Sequence, residues 1–193
     1  NERMWQELRE LYPTVPDANI TITGTPQFDF HVNTQYRWSR EETLQHLRIP
    51  PDTRYLLYAA NHRQWTPTEP LLVQQLAERL AAEPTLAHLW IVVRLHPLDE
   101  AARWQHLTST TERLRICSPW FASMNENCWS PIGVADQKLL VNSLAHSELC
   151  LNMASTMSLD AAILDKPVIC IAFSANPGSV EADIYREAYN SRH

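Results

Sequence analysis

Apolar residues in this chain fall into short unbroken runs, separated by stretches in which they recur every third or fourth position. The runs are RYLLYAA (54–60), HLWIVVRL (88–95), RLRIC (113–117), ELCLN (148–152) and PVICIAF (167–173). Short runs that are apolar at consecutive positions predict strands buried on both faces. Between them, TEPLLVQQLAERLAAE (68–83) puts Leu72, Leu76 and Leu80 on one helical face. LDEAARWQHLTS (98–109), ADQKLLVNSLAHS (135–147, with Leu140 and Leu144 on one side) and STMSLDAAILD (155–165) predict three further helices. Strands and helices that alternate in this way predict an α/β fold: a doubly wound, Rossmann-like parallel sheet with helices on both faces.

Upstream the pattern is less regular. Met4–Tyr12 predicts a short amphipathic helix closed by Pro13 and Pro16, and Ile20–Thr23 predicts a strand broken at Gly24 and Pro26. Residues 24–39 read as an irregular connector. Ser39 then opens SREETLQHL with Glu42 three residues on, the signature of a capping box. The chain therefore divides into a lead-in, 1–38, and one domain, 39–193. Within that domain the segment 118–134 has no period and carries Trp120, Phe121 and Trp129 among turn formers. It reads as a long functional loop, or as a surface lid packed by its own aromatics.

Composition narrows the function classes. The 193 residues are 45% hydrophobic and 20% charged, ordinary for a globular fold, with a formal net charge of −6. A general nucleic-acid binder would carry a basic excess; a local basic pocket remains open. Only Gly24, Gly133 and Gly178 are glycines, so neither a GxGxxG loop nor a P-loop occurs. The cysteines (117, 128, 150 and 170) have no metal spacing, and Cys150 and Cys170 read as buried free thiols in a reducing compartment. No HxH or HxxxH spacing occurs, and no metal is assigned. No run approaches the ~18 apolar residues of a membrane span, and no signal peptide is visible. The chain begins without Met and stops abruptly at His193, which reads as a processed, trimmed or partial chain.

In an open parallel sheet, ligands bind beyond the carboxyl ends of the strands. Those ends collect Asn61 and His62, then Arg94, His96 and Pro97, then Ser118, Pro119 and Trp120, then Asn152, Ser155 and Thr156, then Ser174 and Asn176. A helix opening at Ser155-Thr156 presents free N–H groups and two hydroxyls, an anion cradle that needs no glycine. Ser155 capping its own helix explains the same residues, and the two readings are compatible. His96 before Pro97 is held extended and exposed, either as a donor to phosphate or as an ordinary loop histidine. Arg94 is a phosphate clamp or a salt-bridged edge residue. Asp160, one turn after Thr156, accepts from ribose hydroxyls or is merely solvated.

The order ITGTPQFD, then RLHP, then DQKLLVNSLAHSELCLNMASTMSLDAAILDKPVICIAF resembles the C-terminal, nucleotide-binding half of GT-B-fold glycosyltransferases. It looks closest to the group of CDP-glycerol glycerophosphotransferases, polysialyltransferases and capsule polysaccharide enzymes, and spans roughly residues 20–176. UDP-N-acetylglucosamine 2-epimerases share that architecture. The resemblance implies that His96, Pro97, Ser155 and Thr156 hold the donor nucleotide and its phosphates. His96 then acts as the catalytic donor, with Arg94, Ser118, Trp120, Asn152 and Asp160 around it and Trp120 stacked on the base. The donor is expected to be CMP-, CDP- or UDP-linked; no cofactor is required, since side chains and the helix dipole can meet the phosphate charge, and the net charge of −6 argues against nucleic acid. The resemblance also implies a cytoplasmic enzyme of surface-polysaccharide or glycoconjugate synthesis, with room for peripheral membrane association through an N-terminal acceptor-binding half missing here. Without that half, the chain should bind nucleotide better than it turns anything over. A UDP-sugar epimerase half and a non-catalytic interaction domain are the alternatives.

Overall fold

The computed structural model describes residues 2–118, 133–153 and 155–173. Its centre is a five-stranded sheet, all parallel: β1 (Tyr55–Ala59), β2 (Trp90–Arg94), β3 (Leu114–Cys117), β4 (Cys150–Asn152) and β5 (Val168–Cys170). The spatial order is β3-β2-β1-β4-β5. The chain winds outward from β1 through β2 to β3, then returns to the other side of β1 for β4 and β5. The direction of winding thus reverses between β1 and β4, and the register sets Cys117, Arg94, Ala59, Asn152 and Cys170 in one row along the carboxyl edge.

Every predicted strand of the domain forms, and so do its helices. Side-chain alternation on β1 divides the core. Leu56, Tyr58 and Ala60 pack with Val73 and Ala77 of α4 (Glu69–Ala82) and with Trp104 and Leu107 beside α5 (Gln105–Thr110). Tyr55, Leu57 and Ala59 pack with Leu44 and Leu47 of α3 (Arg40–Leu47), Leu144 of α6 (Val134–Ala145) and Ala161 of α7 (Met157–Ile163). The capping box at Ser39 is present: its hydroxyl accepts from Glu42 N at 3.1 Å, and Glu42 accepts from Ser39 N at 2.7 Å.

Three expectations need correction. Ile20–Thr23 joins no sheet; Ile22 is half exposed, and none of the described strands pairs with it. Alternation favours a strand only where an edge is available to pair with. Residues 98–109 begin as a tight turn, Ala101–Trp104, before α5, because Asp99 draws in Glu100 N (2.9 Å) and Trp104 Nε1 (2.8 Å). Cys150 is buried but Cys170 is exposed, since β5 is the edge strand. Cys128 lies outside the described residues.

The connector 24–39 is a chain of single turns, Pro26–Phe28, α2 (Asp29–Val32) and Thr34–Tyr36, after the exposed α1 (Glu2–Leu11). Asn142, fully buried on α6, fastens its end: Nδ2 donates to Tyr36 O and Oδ1 accepts from Trp38 N, both at 2.8 Å.

One buried carboxylate shapes the loop after β1. Glu69 is 1% exposed at the start of α4. It accepts from Tyr58 Oη at 3.0 Å, from Thr66 Oγ1 at 2.8 Å and, through both oxygens, from Asn61 N at 3.1 and 3.0 Å. Burial pushes its carboxyl up to about 7 from an ordinary 4.5, against the pull of those donors. The raised value means that the folded state binds the proton more tightly than the unfolded chain. Its contribution to stability is therefore complete below about 4.5 and is lost as pH rises through about 7. Denaturation across that window should show Glu69→Gln flattening the decline. Glu69→Ala should cost ~3 kcal/mol at pH below about 4.5, because three donors are left unpaired, and less as pH rises through about 7.

Candidate functional site at the carboxyl edge

The reversal between β1 and β4 is where a crevice opens in a sheet of this kind. Asn61, just past β1, ties its two walls together: Nδ2 donates to Met153 O, just past β4, at 3.0 Å. Its Oδ1 accepts from His62 N at 2.8 Å, which turns the chain so that His62 stands at the mouth. His96, two residues past β2, lies against it; the ring centroids are 5.3 Å apart and the planes cross at 86°. Both histidines are half-buried and Pro97 is exposed. Burial holds His96 below the ordinary 6.5; the neighbouring His62 adds to the effect and Asp99 opposes it. These influences favour the neutral imidazole, which donates a hydrogen bond through one ring nitrogen.

The β4 corner is built from Asn152 and Ser155. Asn152, fully buried at the end of β4, accepts from Ser155 N at 3.1 Å and donates to Ser158 Oγ at 3.0 Å. It braces the corner from inside. Ser155 Oγ accepts from Met157 N at 3.3 Å, so the helix-cap reading is realised. Thr156 is exposed and its hydroxyl makes no capping bond. The helix that follows has only seven residues.

Two expected ligand contacts are committed elsewhere. Arg94 is buried and pairs with Asp136 of α6 at 2.8 Å, side chains 9% and 1% exposed. Of its two readings, the salt bridge is the one formed, although Arg94 Nη1 and Asp136 Oδ1 have no hydrogen-bond partner among the described residues. Asp160 is neither solvated nor open to a ribose. It is buried, 2.8 Å from His31 Nε2 of the lead-in, at an angle too oblique for a hydrogen bond. Burial raises its carboxyl and His31 pulls it back. A sequence pattern does not reveal such partners, because His31 and Asp160 are far apart in the chain and meet only through folding.

Ser118 follows β3, two strands away from β1. Trp120, Pro119, Ser174 and Asn176 lie outside the described residues, as does most of the segment 118–134. Among the described residues no cluster of three His, Cys, Asp or Glu could hold a metal ion. No helix among them is long and apolar enough to cross a membrane. Sequence reasoning named His62 and Asn61 as strand-end residues but gave them no role. The signal was the placing of two histidines just past two neighbouring parallel strands, three residues beyond Ala59 and two beyond Arg94.

The architecture recurs among solved structures. The wall teichoic acid polymerase TagF, in a variant soaked with CDPG, matches with a TM-score of 0.52 at 18% identity over 88% of this chain and 36% of that one. MnaA of S. aureus, in a co-structure with UDP, matches with a TM-score of 0.52 at 15% identity over 93% of this chain and 47% of the other. The UDP-GlcNAc 2-epimerase of Methanocaldococcus jannaschii, in complex with UDP-GlcNAc and UDP, gives 0.50 at 14% identity over 91% and 45%. The chain thus spans less than half the length of these proteins, and at such identities they share its fold: a Rossmann-like α/β sheet of the GT-B kind. No curated protein sequence matches. Residues 1–118, more than half of the chain, do match the sequence pattern of a family. On that match the chain belongs to the CDP-Glycerol:Poly(glycerophosphate) glycerophosphotransferase family.

Proposed function

We propose that this chain is the donor-binding domain of an enzyme that transfers a phosphate-linked group from a cytidine diphosphate carrier to a surface polymer. The observation that carries this reading is His96, an imidazole donor at the mouth of the crevice between β1 and β4. The family match supports the cytidine diphosphate. In such a transfer, negative charge grows on the departing phosphate, and fixed donors aimed at it lower the barrier. His96 donates to that oxygen. Thr156 offers its free hydroxyl at the facing corner, with Ser155 holding the turn. Pro97 fixes the backbone beside the imidazole. Arg94, already neutralised by Asp136, stiffens the floor rather than clamping phosphate, and Asp160 fastens the lead-in through His31. The acceptor and the general base belong to a second domain, which this reading places in the rest of the enzyme.

Thermal melting with millimolar CMP, CDP, UDP, GDP and CDP-glycerol tests the reading. Ligand at a hundredfold its dissociation constant stabilises by ~2.7 kcal/mol, a rise of several degrees. CDP and CDP-glycerol should give that rise, and His96→Ala should abolish it without lowering the unliganded midpoint. A flat response to every nucleotide would favour a non-catalytic interaction domain, and a response to UDP alone would favour an epimerase-like half.

Arg94→Met should behave in the opposite way. It strands the buried Asp136 carboxylate, so denaturant unfolding should register a loss of about 3–5 kcal/mol. Nucleotide affinity of the folded fraction should change little.

A further inference from the structure

The two histidines at the mouth are held alike. Gln64 N–H donates to His62 Nδ1 at 3.2 Å, and Leu98 N–H donates to His96 Nδ1 at 3.1 Å. A ring nitrogen that accepts a hydrogen bond carries no proton, so in each neutral ring the proton sits on Nε2. Each loop therefore binds its own histidine by one nitrogen and turns the other away from its backbone. Neither Nε2 has a hydrogen-bond partner among the described residues. Two half-buried imidazoles on different loops, edge to face with centroids 5.3 Å apart, thus each keep an N–H donor without a partner among the described residues.

We propose that His62 joins His96 in a two-donor site for one phosphate oxygen of the nucleotide. This rests on the donor-site reading above. In that site the oxygen would lie about 2.8 Å from each Nε2. The surrounding charges are paired among themselves. Asp99, behind His96, is taken up by Arg103 Nη1 at 2.9 Å and by Trp104 Nε1 at 2.8 Å. Glu100 pairs with Arg63 on the His62 loop, and Glu69 is enclosed by Tyr58, Thr66 and Asn61 N. These three carboxylates are thus engaged by other donors rather than by the imidazoles. His62 also acts on the titration of its neighbour: after burial, its charge is the second influence that holds His96 below the ordinary value. Without His62, His96 should take up its proton at higher pH.

The test is imidazole NMR and calorimetry on the whole chain, with CDP-glycerol as probe, because its diphosphate diester carries no group that titrates near neutrality. In the wild type both rings should show the Nε2–H tautomer, and CDP-glycerol should shift both Nε2 signals. His62→Ala should weaken binding about tenfold or more, the effect of one hydrogen bond to a charged group. His62→Gln, whose amide nitrogen lies close to the place of Nε2, should recover most of it. In both variants the His96 titration should move to higher pH. If the wild type binds CDP-glycerol but shifts only His96, and His62→Ala keeps both affinity and the His96 titration, the pair is refuted while the donor site stands. If the wild type binds no nucleotide, both proposals fall. Should His62→Ala not fold, the wild-type spectra and the glutamine variant decide between the same outcomes.

Discussion

The site depends on a carboxylate that water does not reach. Glu69 sits at the start of α4 with Tyr58 below it and the Asn61–Thr66 turn wrapped over it. Its acceptors determine where the chain goes after β1, and the backbone it captures is that of Asn61. Asn61 in turn bridges to Met153 and orients His62. One side chain thus links the core beneath β1 to both walls of the crevice. A buried carboxylate is costly unless its lone pairs are filled; here the donors that fill them are the parts of the loop that must be placed.

Charge is handled in the same way across the carboxyl edge. Arg94 faces Asp136, Asp160 faces His31, and Asp99 holds Arg103 and Trp104. The two charged groups that pattern alone offers as ligands for phosphate and ribose, Arg94 and Asp160, are already matched to partners from other elements. What remains at the strand ends is two imidazole N–H groups and the Thr156 hydroxyl. Such a site recognises an anion by fixed donors rather than by net charge, consistent with a chain whose formal charge is −6. It also couples the lead-in to the sheet, since His31 and the turns fastened by Asn142 close over α6 and α7.

The sheet was legible because a strand buried on both faces admits little but Val, Ile, Leu and Ala, and helices between such strands need one apolar stripe. YLLYA, WIVVR and the Leu72–Leu76–Leu80 stripe are read directly. The short Ile20–Thr23 run misled, since strand propensity cannot tell whether a partner edge exists. Cys170 misled because the sequence does not mark which strand lies at the edge. His96 could be named from the His-Pro pair, and the Ser155 cap from its place before a helix. Glu69, His31 and Asp136 could not. Each owes its role to a partner supplied by folding: Thr66 and Tyr58 around Glu69, Asp160 against His31, Arg94 against Asp136. His62 lies between these cases, visible as a strand-end residue but given meaning only by the parallel register that brings it beside His96.

The claim that the carboxyl edge between β1 and β4 is the ligand face is tested most directly by mapping amide shifts along the backbone on titration with CDP-glycerol. The account predicts that the largest changes fall on residues 61–64, 96–98 and 153–157. The groove at the opposite edge, lined by Ala77, Leu80, Leu89 and Arg113, should stay silent. Changes centred on that groove, with the three strand-end loops unmoved, would contradict it.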